Sequence, residues 1–148
     1  MRSIGVGLYF DKEGNVIVVP MLQHPIGYGI ESCNFFRLKV GYKKSELAEA
    51  IIKAEQISII NEQEDRSKKF WVEATGIKGY ATFSKKHKCV SICYVLEKDG
   101  YSVVAEKRYQ DGSYGYDKED ILSRVKEYPG KPSVDTIVDQ VLEALKIE

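Results

Sequence analysis

Much that would classify a 148-residue chain at sight is missing from this one. It has three cysteines, Cys33, Cys89 and Cys93, an odd count without framework spacing. A disulfide-stapled secreted scaffold is therefore excluded and reduced thiols are expected. Cys89 and Cys93 fall on one strand-like run, where four residues separate side chains of one face by about 13 Å. That is too far for a mutual disulfide, and both read as small buried groups. Neither sign of charge is in excess: Lys+Arg and Asp+Glu each total 22, for a formal net charge of +0. This argues against a nucleic-acid coat protein, though not against a local patch. No run approaches the roughly 20 apolar residues that span a bilayer. The opening MRSIGVGLYFDKEG meets Asp11 and Lys12 before the long apolar core of a signal peptide can form. A cytoplasmic protein without membrane contact is the expectation. There is no internal repeat, low-complexity tract or Pro/Gly/Ser linker.

Catalytic templates are missing too. The chain holds no HExxH, no GxSxG and no phosphate-binding loop of the form GxxxxGKS/T. Gly5-Val6-Gly7 resembles part of a dinucleotide fingerprint, but it lies inside a strand pattern and reads as a bent or closely packed strand. Only two histidines are present, His24 and His87. A zinc site needs four ligands, or three and a water. His87 and Cys89 find no obvious third partner, so neither a metal nor a cofactor is expected. Lys85-Lys86-His87-Lys88 and Arg66-Ser67-Lys68-Lys69 are basic runs that read as solvated faces.

What the chain does have is globular character: 43% hydrophobic and 30% charged residues. Its length suits one domain, spanning residues 1–148, that buries roughly 70% of its unfolded surface. In 3–10, Ile4, Val6, Leu8 and Phe10 alternate with Gly5, Gly7 and Tyr9, which predicts a strand with one apolar face and something packed closely on the glycine face. Residues 11–15 are a turn and 16–19 a second strand, ending at Pro20 or lying at an edge. Residues 23–30 form an irregular loop. Strand character returns in 34–40. Ser45 is the expected cap of a helix carrying Leu47, Ala48, Ala50, Ile51 and Ala54 to about Ile57. The polar segment 61–69 leads to a helical turn with Phe70, Trp71 and Ala74, closed by Gly76, and 80–86 is a further short helix. A meander follows: a strand over 89–96, an Asp99-Gly100 turn, a strand over 101–109, an Asp111-Gly112 turn and a brief pairing at 114–116. Residues 117–128 predict a helix with Ile121, Leu122 and Val125 inward. Ser133 caps the last helix, whose stripe is Val134, Ile137, Val138, Val141, Leu142 and Leu145. Strands grouped as hairpins, with helices between the groups, predict an α+β fold, a mainly antiparallel sheet with helices packed on it.

Tyrosine is the most informative residue type: ten, against five phenylalanines and one tryptophan. Tyr109, Tyr114 and Tyr116 surround the Asp111-Gly112 turn, with Asp117, Glu119 and Asp120 close behind. An acidic, tyrosine-rich turn suits docking of a basic partner. The plainer reading is that the acids favour a helix N-terminus and the tyrosines finish the core.

The stretch Phe70-Trp71-Val72-Glu73-Ala74-Thr75-Gly76-Ile77-Lys78-Gly79-Tyr80, followed by Phe83 and by Lys88-Cys89-Val90-Ser91-Ile92, resembles CdiI-type immunity proteins of bacterial contact-dependent growth inhibition. The resemblance covers about 25 residues in motif and the rest of the chain in layout. It implies a cytosolic, non-catalytic protein that binds the C-terminal toxin domain of its cognate partner one-to-one. Such a protein blocks the active site or substrate path of the toxin, often a nuclease. Trp71, Glu73, Thr75 and Gly76, which the resemblance shares, are expected to be fold determinants. Asp111, Tyr114, Tyr116, Asp117 and Glu119 are the expected toxin contacts. Because the chain is neutral overall, electrostatic steering would have to come from a local patch. The alternative is a small ribonuclease or phosphodiesterase that uses His24 or His87 with Lys85 or Lys86.

Overall fold

The computed structural model describes residues 2–148. In chain order the elements are β1 (Ser3–Phe10), β2 (Val16–Gln23), β3 (Gly29–Glu31), β4 (Phe36–Leu38), α1 (Lys44–Ile60), α2 (Phe70–Thr75) and α3 (Tyr80–Lys85). Then follow β5 (Lys88–Val95), β6 (Gly100–Ala105), β7 (Lys107–Arg108), β8 (Tyr114–Gly115), a 3-10 turn (Lys118–Asp120), α4 (Ile121–Arg124), β9 (Val125–Tyr128) and α5 (Val134–Leu145). Seven strands form one antiparallel sheet in the order β3-β2-β1-β5-β6-β9, with β4 also paired to β2 beside β3. β7 and β8 make a separate ribbon. The α+β architecture is the one the hairpin pattern predicts.

The alternation in β1 sorts the two faces. Val6, Leu8 and Phe10 point to the same side as Val16 and Val18 of β2, Val90 and Ile92 of β5, and Val103 of β6. On that side lie α1, through Leu47, Ile51 and Ala54, and α5, through Ile137, Val138 and Val141. Ser133 caps α5 as predicted, its Oγ accepting the Thr136 N–H at 3.2 Å. A single charge enters this core. Glu55 of α1, 3% exposed, accepts from Tyr101 Oη at 3.2 Å and pairs with Lys131 Nζ at 3.2 Å. The pair ties the loop before α5 to the middle of the core, and removing one partner would leave an uncompensated buried charge.

Several elements differ from expectation. α1 begins after Lys43, not Ser45, and runs to Ile60. Glu46 Oε1 accepts the Lys43 N–H at 2.9 Å, which closes the first turn without a hydroxyl cap. β2 does not stop at Pro20; it continues to Gln23 between β1 and the β3/β4 pair. β4 pairs with 16–18 and β3 with 21–23, so Pro20 faces the break between them. Its carbonyl there accepts the Ser32 N–H at 2.9 Å, and its missing donor costs no ladder bond. The strand expected over 34–40 is a ladder only at Phe36–Leu38. The strand expected over 101–109 breaks at Glu106, where β6 ends and β7 begins.

The largest correction concerns 117–128. Helical geometry lasts only to Arg124, and Val125–Tyr128 is the edge strand β9, with Val104↔Val125 and Tyr101↔Tyr128 in register. The free edge of β6 offers a ladder to a segment holding a β-branched and an aromatic residue, and that outweighs the acidic helix-start signal. Leu122, expected inward, is 99% exposed.

Candidate binding groove and its rim

The second face of the sheet is covered over half its length. Tyr9, Ile17 and Cys89 on that face pack against Phe70 of α2 and Phe83 of α3. Their rings meet edge-on or tilted: Tyr9–Phe70 at 4.9 Å and Tyr9–Phe83 at 5.4 Å between centroids. Gly76 closes α2 at φ 77°. Trp71 donates from Nε1 to Lys78 O at 3.1 Å, and its ring meets Tyr80 at 4.8 Å. Thr75 Oγ1 donates to Trp71 O and accepts the Ile77 N–H at 3.1 Å. Glu73 points to solvent. Trp71, Thr75 and Gly76 thus hold the corner between α2 and α3.

The β7–β8 ribbon leans on the same layer. Arg108 Nε donates to Ser84 Oγ at 2.8 Å, and Tyr114 Oη donates to His87 O at 2.8 Å. At the ribbon's tip Gly112, with φ +95°, lies so close to α3 that a Cβ would stand 2.9 Å from Ala81 Cα. Both the backbone sign and the space require glycine there.

Beyond this layer the face carries small side chains. The register aligns Gly7 with Ser91, and Gly5 with Cys93 and Ser102. With little to fill the space above them, a groove of about 610 Å³ remains, walled by Met21, Glu31, Trp71, Tyr80, Glu106 and Tyr114. A smaller pocket of about 250 Å³ adjoins it across Glu31 and Trp71, under the 63–69 connection. Glu64 fixes that connection by accepting from Ser32 Oγ at 2.6 Å and the Cys33 N–H at 2.9 Å. Two carboxylates face the groove. Glu31 accepts a short hydrogen bond from Tyr9 Oη. Glu106 accepts from Ser91 Oγ at 2.7 Å. Burial pushes both above the usual carboxylate range; Tyr9 and Lys69 oppose the shift at Glu31, and Ser91 and Arg124 oppose it at Glu106.

The rim beside the groove is the 111–122 segment, which holds the contacts expected from sequence. Asp111 accepts from Ser113 Oγ and N within its own turn, and these bonds hold its carboxyl below the usual range. Tyr114 is half-buried and serves as groove wall. Asp117 accepts from Tyr109 Oη at 2.8 Å and from Lys107 Nζ at 3.2 Å, so its acidity is spent locally. The same bond pushes the Tyr109 hydroxyl up to about 12. Tyr116 and Glu119 are open to solvent. Next to them stand Ile121, 42% exposed, and Leu122, so the rim presents apolar as well as acidic groups. The helix predicted over 117–128 places both side chains inward; the structure turns them out.

The other candidates disperse. His24 lies beyond the Gln23 end of β2, stacked on Tyr28 at 4.4 Å, and His87 precedes Lys88, which pairs with Phe10. The full length of β1, about 25 Å, separates the two ends. They cannot act as an acid–base pair. His87 stacks on Phe83 at 4.0 Å, and its Nδ1 is 2.8 Å from Phe83 O. All three cysteines are free thiols. Among the described residues, no three of His, Cys, Asp and Glu stand together so as to hold a metal ion, and no helix is long and apolar enough to cross a membrane.

No family model matches the sequence, and no curated protein does either. Solved structures do match. One is a protein of unknown function from Neisseria meningitidis, with a TM-score of 0.67 and 10% identity, covering 97% of this chain and 93% of that one. Another is a chain of a CdiA-CT/CdiI toxin and immunity complex from Yersinia pseudotuberculosis, with a TM-score of 0.65 and 9% identity, covering 98% of this chain and 97% of that one. The protein has the fold of a component of a toxin–immunity complex. At such identities the likeness is one of fold, and the side chains of groove and rim are this chain's own.

Proposed function

We propose that the protein is an immunity protein. It acts in the cytoplasm, without turnover or cofactor, by binding the C-terminal domain of a cognate toxin one-to-one and occluding its active site or substrate path. A nuclease is the toxin class that the sequence resemblance implies. The observation that carries the reading is the fold shared, over 98% of this chain, with a chain of a toxin and immunity complex. The resemblance of the Trp71–Gly76 stretch to CdiI-type immunity proteins points the same way. The rim supports it further. Tyr116, Ile121 and Leu122 are exposed apolar groups beside Glu119, in the mixture of aromatic, aliphatic and acidic groups that suits docking to a basic protein. Asp111, Tyr114 and Asp117 shape that rim from within.

The test is co-purification with the product of the adjacent upstream reading frame, followed by titration calorimetry. A one-to-one complex with nanomolar Kd, about −12 kcal/mol, is the expected result. Absence of binding overturns the reading. RNA degradation by the purified protein alone, lost in His87→Ala, would replace it with the hydrolase alternative.

A further inference from the structure

The groove on the second sheet face is bounded by two carboxylates, Glu31 and Glu106. Among the described residues, no ion pair forms on Glu31 or Glu106. Two cations act from a distance. Arg124, which favours the charged form of Glu106, gives its guanidinium to Ala105 O at 2.9 Å and to Glu148 O. Lys69, which favours the charged form of Glu31, is exposed. Both carboxylates line the same groove, together with Tyr80 and Cys89. The floor between them is Gly5, Gly7 and Ser91. Carboxylates taken partly out of water gain from a cation at contact. Elsewhere in this chain such a cation is present: Glu55, the one buried acid of the sealed core, has Lys131.

We infer that the groove receives a cationic side chain, arginine or lysine, from a protein partner, and seats it between Glu31 and Glu106 against Tyr80 and Tyr114. The aromatic walls suit the stem and the face of a guanidinium, and the carboxylates suit its donors. A chain of zero net charge thereby gains the local negative field that steering to a basic partner requires. The partner is the toxin, and in this the inference rests on the proposed function.

The experiment is calorimetric titration of the toxin domain against wild type, Glu31→Gln, Glu106→Gln and the double variant. A glutamine oxygen can still accept from Tyr9 and from Ser91, so the fold should persist, and thermal unfolding checks that it does. Each single change should raise Kd about tenfold and the double change more, as expected when one partner of a desolvated ion pair is neutralised. A double variant within about twofold of wild type overturns the groove assignment while leaving the immunity reading intact. If wild type does not bind the toxin, the immunity reading falls and the groove is tested alone, by NMR titration with N-acetyl-arginine amide. Saturable shifts at the Gly5, Gly7 and Ser91 amides, lost in the double variant, would sustain it. No shifts through the millimolar range would overturn it.

Discussion

The two faces of one sheet do opposite work. Along β1 the even residues Val6, Leu8 and Phe10 meet two helices and are almost fully buried, while the odd residues Gly5, Gly7 and Tyr9 run from open groove to aromatic cluster. The same eight residues therefore build a sealed core and the floor of a recognition site. The difference lies in what covers each face. α1 has 17 residues and α5 has 12, enough to lie across four strands. α2 and α3 have six each, and cover only the end near Tyr9 and Cys89. Long amphipathic helices close one side completely; two short ones leave the other half open.

Breaking the sealed face should cost the most. Ile51→Ala removes a side chain of zero exposure between α1 and the sheet and should lower unfolding free energy by about 2–5 kcal/mol, measured by urea titration. The affinity of the remaining folded protein for toxin should not change. Breaking the cover of the open face should cost less. Gly112→Ala forces a left-handed backbone onto alanine and drives a methyl into Ala81, for about 2 kcal/mol. Here toxin affinity should fall with stability, because the displaced ribbon carries the rim. An Ile51→Ala variant that lost affinity, or a Gly112→Ala variant that kept it, would deny the division between the faces.

The sealed face was largely legible in the sequence. Alternation in β1 and the stripe from Val134 to Leu145 are local periodicities, and Ser133 is local cap chemistry. The Asp99-Gly100 signal marks the hairpin but not its turn: Gly100 opens β6 opposite Val95, and the turn is 96–99, with Asp99 at φ 47°. The open face was legible in part. Gly5 and Gly7 on the outer side of β1 predicted close packing there; their own neighbours Met21 and Tyr9 do lie close, but beyond them the face is an open groove. The carboxylates could not be read. Glu31 and Glu106 are 75 positions apart, on β3 and just past β6, and only the β3-β2-β1-β5-β6 order brings them to one space. β9 was missed for a related reason: its stabilising partner, β6, lies some twenty residues earlier, while the acids at 117, 119 and 120 argue locally for a helix.

On the rim, Tyr116→Ala combined with Leu122→Ala should weaken toxin binding by about 2 kcal/mol with little change in thermal stability, since both side chains are exposed. Asp117→Lys is a harsher change than sequence implied. It breaks bonds to Tyr109 and Lys107 as well as altering charge, so its loss of affinity should come with a loss of stability that the double alanine variant lacks.

The smallest effect separates the groove from the rim by pH. Burial raises the folded-state pKa of Glu31 and Glu106 above the unfolded values. A raised group contributes stability that is complete below its unfolded pKa and is lost as pH rises through its folded pKa. Acidifying from neutrality toward the ordinary carboxylate range should therefore stabilise the free protein at these two sites. Asp111 and Asp117 are lowered and act with the opposite sign, losing their contribution only at more acidic pH. The groups facing the two carboxylates include Tyr9, Tyr80, Cys89 and Tyr114, which burial pushes upward and keeps neutral throughout, and the cations Lys69 and Arg124. A bound cation favours the ionised carboxylates, so toxin affinity should fall over the same interval in which the free protein gains stability. The double glutamine variant titrates at neither position and serves as the reference: thermal unfolding and calorimetry on both proteins, from neutral to mildly acidic pH, should show stability and affinity diverging in wild type alone. Parallel curves for the two proteins would mean that Glu31 and Glu106 carry no charge that a partner uses, and the open face would then be a surface of contact without an electrostatic role.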